Sequence, residues 1–113
     1  MEDSILESIK NNLGIPVEDD VFDGEIIMAI NTAFMTLSQL GVGLDTPFII
    51  EDSLATWSDF TEDVEQLPMI KSYICLQTRL SFDPPASNSL MTAMQEKSKE
   101  YEWRLNVSVD RPE

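Results

Sequence analysis

Arg79-Leu80-Ser81-Phe82-Asp83-Pro84-Pro85 is the stretch that decides how this chain folds. Adjacent prolines lack amide donors and their rings clash with the preceding turn, so no helix continues through them. Pro84 also pushes Asp83 away from helical backbone angles. Upstream, Met69, Ile70, Tyr73, Ile74, Cys75, Leu76, Leu80 and Phe82 are apolar around most of a helical circumference, the pattern of a helix buried on nearly every side. Downstream, Leu90, Met91, Met94, Tyr101 and Leu105 return on one face, while Glu96, Lys97, Lys99, Glu100 and Glu102 mark a wet face. The segment therefore reads as an antiparallel helical hairpin with a hard corner. Pro68 suits the first turn of its first helix, and Ser87 or Asn88 can cap its second. Glu100 stands four residues before Arg104, a favourable pairing on a helix surface.

Two more helices precede the hairpin. Ser4-Ile5-Leu6-Glu7 is a capping box, followed by Ile5, Leu6, Ile9 and Leu13 on one face and closed by Gly14 and Pro16. Asp19-Asp20 places acids where a second helix would begin. Phe22, Ile26, Ile30, Ala33, Leu37 and Leu40 then recur at helical spacing, widened by Ile27, Phe34 and Met35, until Gly41-Val42-Gly43. From Leu44 to Glu65 the pattern changes. Phe48-Ile49-Ile50 is β-prone, and Thr56-Trp57-Ser58-Asp59-Phe60 sets two large aromatics in a polar stretch. A connection this long is usually functional or carries short elements of its own. The expected fold is mainly α: a small bundle of about four helices, with a long loop or short β-like arm between helices 2 and 3. Residues 1–106 form one domain, and 107–113, with no core pattern, form a mobile tail.

The 113 residues suit one modest core, and 42% hydrophobic against 25% charged content is that of a globular rather than a disordered chain. No apolar run approaches a membrane span, and Met1-Glu2-Asp3 does not begin a signal peptide. A single cysteine, Cys75, has no internal disulfide partner and reads as an inert core thiol. Net charge is −14, from 21 acidic and 7 basic residues, and no Lys or Arg occurs between Asn11 and Ile70. Such a chain lacks the cations that grip nucleic-acid phosphates. Its acids form a solubilising surface, or one that lets DNA pass without sticking, or one that meets a basic partner.

Catalytic patterns are absent. There is no histidine, which removes Ser-His-Asp and Cys-His chemistry and most zinc sites. There is no glycine-rich phosphate loop. Asp19 to Ile30 resembles a calcium loop in part, but Val21 and Ile30 stand where oxygen ligands are required. Neither enzyme activity, nor metal, nor cofactor is expected. The aromatics are the more informative residues. Trp103 is expected in the core, whereas Trp57 and Phe60 suit core cover and intersubunit contact equally.

Four blocks together resemble a known family: Ala33-Phe34-Met35-Thr36-Leu37-Ser38-Gln39-Leu40-Gly41-Val42-Gly43, Thr56-Trp57-Ser58-Asp59-Phe60, Arg79-Leu80-Ser81-Phe82-Asp83-Pro84-Pro85, and Glu102-Trp103-Arg104-Leu105-Asn106. In order and spacing they are similar to the head–tail connector (adaptor) proteins of long-tailed phages and prophages of Gram-positive bacteria. The resemblance runs from about Ser4 to Asn106. It implies a structural virion protein, all-helical, that forms a ring, often dodecameric, below the portal protein. The ring would extend the DNA channel and offer a docking surface to a tail-completion or stopper protein, after assembly in the host cytoplasm. No activity or cofactor is implied, DNA passes without specific binding, and no membrane is involved. On this reading Trp57, Phe60 and Arg104 are candidate anchors between subunits. The alternative is a small acidic phage inhibitor that mimics the charge of DNA. A helical antitoxin or regulator is disfavoured by the lack of a basic DNA-reading segment.

Overall fold

Ser4 starts the first helix. Its backbone is extended, and its Oγ accepts the amide of Glu7 at 3.2 Å, satisfying one of the unpaired donors of the first turn. The helix, α1 (Ile5–Leu13), stops at Gly14, whose φ of 79° is readily adopted by a residue without a Cβ. There the amide of Ile15 reaches the carbonyl of Lys10 and that of Gly14 reaches Asn11, which ties off the last turn. The same device closes α2 (Asp23–Gln39): Gly41 has φ 83°, Val42 donates to Leu37, and Gly41 donates to Ser38. The chain is seen in a computed structural model that describes residues 4–42, 48–60 and 66–110.

The second helix begins later than the Asp19-Asp20 pair suggests. Asp19 turns its carboxylate back onto the amide of Val21, and its own amide bonds to Pro16, so the acids build a turn instead. Asp23 and Glu25 then supply the negative charge of the first helical turn.

Of the long connection expected between Leu44 and Glu65, residues 44–47 and 61–65 lie outside the described residues. Among the described ones no strand forms. A single antiparallel bridge joins Ser4 to Thr56, and one helical turn follows, α3 (Trp57–Phe60). The β-prone run has another use. Ile50 is buried, and its amide and carbonyl are both taken by the side-chain amide of Asn31, at 2.8 and 3.0 Å. With its main chain satisfied by a side chain, the segment needs no partner strand.

The expected hairpin is α4 (Leu67–Phe82) and α5 (Asn88–Asp110). Ser87 caps α5 by accepting the amide of Leu90. Moving from Tyr73 to Gln77 on α4 moves from Glu102 to Ser98 on α5 through their side-chain hydrogen bonds, so the two helices run antiparallel. Helix α4 is central, touching α1, α2 and α5. The core joins Ile5 and Ile9, Ile30, Phe34 and Leu37, Ile70, Tyr73 and Ile74, and Leu105 from the four long helices. Phe34 gathers Phe48, Phe60 and Trp57 around it, with centroids at 5.1, 4.7 and 6.4 Å. Helix α5 runs four residues past Asn106, so the boundary expected at 106 falls inside it, and the remainder of the expected tail, 111–113, lies outside the described residues.

Candidate assembly surfaces

Trp57 and Phe60, two of the three expected anchors, point inward. Both are 3% exposed, Trp57 donates its indole N–H to Ser8 Oγ at 3.2 Å, and Phe60 stacks between Phe34 and Phe48. The short α3 turn exists to place them there: Asp59 Oδ2 accepts the amide of Thr56 and holds the turn closed. Their large apolar faces are spent on the chain's own core. Arg104, the third, is on the outside of α5 and pairs with Glu100 at 2.9 Å, the expected four-residue pairing.

Trp103 departs from expectation in the opposite direction. It is 65% exposed, while Glu102, expected on the wet face, is half-buried and accepts the hydroxyl of Tyr73. The turn of α5 is phased by Leu105, which is buried, and by Asn106, whose amide donates to the carbonyl of Leu40 at the end of α2. With Leu105 inward, Trp103 is carried round to solvent. Beside it Arg104 and Val107 are exposed too. Helix α2 presents a second apolar stripe, Met28 and Met35 seven residues apart, with Met28 71% exposed. Exposed large apolar groups that cluster rather than scatter are marks of contact surfaces.

One internal charge site went unread in the sequence. Lys10 is 1% exposed, and its ammonium donates to the carbonyls of Val17 and Asp19 and to Asp23 Oδ1, at 2.9, 2.7 and 2.7 Å. A buried ammonium persists only when its three donors are all used, as here. The stretch that superficially resembles a cation loop thus receives the chain's own cation. Among the described residues no group of three or more metal-ligating side chains gathers. Tyr73 is held as a neutral donor. Burial raises its pKa first, and the hydrogen bond and charge of Glu102 raise it further, against a smaller opposing effect of Thr36. The Cys75 thiol is likewise pushed up by burial, opposed by Lys71, and is therefore a poor nucleophile. Among the described residues, Lys10, Tyr73 and Cys75 form no nucleophile–base arrangement.

The sequence model of the phage connector protein family matches residues 5–112, from the first residue of α1 through all of α5. The chain belongs to this family. No curated protein and no solved structure matches it. The connector is a structural component of the phage virion at the head–tail junction, in a family whose members work by contact with portal or tail proteins. Among the described residues, no helix is long and apolar enough to cross a membrane.

Proposed function

We propose that copies of the connector join side by side into a ring below the portal, extend the DNA channel, and present the surface on which the tail-completion protein docks. The observation that carries this reading is Trp103, a large aromatic at 65% exposure beside Arg104 on the last turns of α5. Trp and Arg are the residue types in which interfaces concentrate their energy, and leaving Trp in water is otherwise unfavourable. The Met28–Met35 stripe of α2 supplies a second contact face. In this arrangement Arg104 is a direct interface residue. Trp57 and Phe60 contribute by fixing the shape of the loop that carries them. A net charge of −14 suits a conduit, because DNA phosphates find no counter-charge to hold them as they pass.

The test is complementation of a phage lacking this gene with Trp103→Ala. The expected particles are filled heads without tails, from a protein whose melting temperature is unchanged. Normal tailed virions would remove Trp103 from the interface and with it the support for this reading.

A further inference from the structure

Lys71, Arg79 and Lys97 are three of the chain's seven basic residues, and all three line one groove of about 460 Å³ between α4 and α5. Among the described residues, no acidic one lines it. Leu76, Met94 and Cys75 make its floor apolar. The cations are weakly engaged. Arg79 has no carboxylate partner among the described residues, Lys71 lies 5.5 Å over the ring of Trp57, and Lys97 reaches Glu100 only at 3.8 Å. Among the described residues the only carboxylate paired with one of these three cations is Glu100, on Lys97 at the groove's edge.

The complementary shape is on the same chain. Between Asn31's grip on Ile50 and the bridge at Thr56, the segment 49–54 turns Ile49, Glu51, Asp52 and Leu54 to solvent, with Leu54 80% exposed. It is a shaped knob, not a slack loop: Ile50 is pinned from both its amide and its carbonyl, and Asp52 Oδ1 caps the amide of Leu54 at 2.9 Å. A pre-ordered segment loses little entropy when it docks.

Resting on the ring reading above, we infer that the 49–54 knob of one copy seats in the α4–α5 groove of the next. Glu51 and Asp52 face the groove's cations, and Leu54 covers Leu76, Met94 and Cys75. Knob and groove share no residue, so the contact is head-to-tail, the kind that repeats around a ring. Opposite charges at its rim set register and exclude wrong pairings.

A cysteine pair built across the contact provides the test, with Cys75, the chain's only native cysteine, replaced by alanine. Leu54→Cys adds a thiol on the exposed knob. In particles assembled from this variant with Met94→Cys and Cys75→Ala added and oxidised, a non-reducing gel should show a ladder of covalent multimers that is absent when Met94 is left unchanged. Independently, Arg79→Glu alone should lose tailed particles, and adding Asp52→Arg should restore them. Tailed particles without the ladder, or with Arg79→Glu unaffected, overturn the docking while leaving the ring standing. Loss that Asp52→Arg fails to rescue, with no ladder, means the groove takes an acidic segment of the portal or tail protein, and the self-docking is wrong. Virions in which the connector is monomeric would remove the ring reading itself.

Discussion

The hydroxyl of Tyr73 donates to Oε2 of Glu102 at 2.8 Å, fastening the middle of α4 to the last turns of α5. This bond uses a fully buried phenol as donor, and it does so only while the phenol keeps its proton. Because the folded state raises the Tyr73 pKa, the protonated form is the one folding favours. The stabilisation is complete below the unfolded tyrosine value of about 10 and is lost as pH climbs above it. Urea unfolding of wild type and Tyr73→Phe at pH 7 to 11 should show wild type losing its advantage above about pH 10, with a difference near neutrality of about 1 kcal/mol. A difference that does not change with pH would mean the phenol does not ionise on unfolding in this range.

Lys10→Met should cost about 3 kcal/mol in a reversible melt, because it leaves the Asp23 carboxylate and the carbonyls of Val17 and Asp19 without their donor. A loss under half a unit would show that water replaces the ammonium freely at this site.

Trp57→Ala and Trp103→Ala should separate cleanly. Trp57 is packed against Phe34 and bonded to Ser8, so its truncation should cost about 3–5 kcal/mol and unfold much of the protein near its working temperature. Trp103 is mostly in water, so its truncation should move stability by no more than about 0.5 kcal/mol. Matched thermal melts decide it. Equal losses would place both indoles in the core.

Two buried positions one turn apart on α4 should respond differently. Ile74 is fully buried, and Ile74→Ala should cost roughly 2–5 kcal/mol. Thr78, one turn on, is also fully buried, and its Oγ1 has no hydrogen-bond partner among the described residues. Thr78→Val keeps the shape and removes an unpaired polar atom, so it should be neutral or stabilise by about 1 kcal/mol. Chemical denaturation checks both. Destabilisation by Thr78→Val would reveal a partner for the hydroxyl.

Much of the architecture was legible from residues acting on their own neighbours. Ser4, Gly14, Gly41, Pro68, Ser87 and the Pro84-Pro85 corner set where helices start and stop. The wide apolar girdle of α4 announced its central place. The connection after α2 was harder to read, because Phe48-Ile49-Ile50 is β-prone by composition yet is anchored by Asn31, nineteen residues earlier. Where the three candidate anchors would lie was legible only in part. Arg104 emerged outside as its pairing with Glu100 indicated, whereas Trp57 and Phe60 went into the core.

By itself the sequence determined the helical class, the antiparallel hairpin and the acid bias, since capping, proline geometry and residue periodicity act within a few residues of chain. Only the tertiary structure decided that Lys10 is buried among oxygens supplied from residues 17 to 23, and that Glu102 faces inward while Trp103 faces water. Those outcomes turn on how far each helix is rotated against its neighbours. That rotation is fixed by packing between segments distant in the chain, and one residue of rotation, about 100° on a helix, exchanges a carboxylate for an indole at the surface.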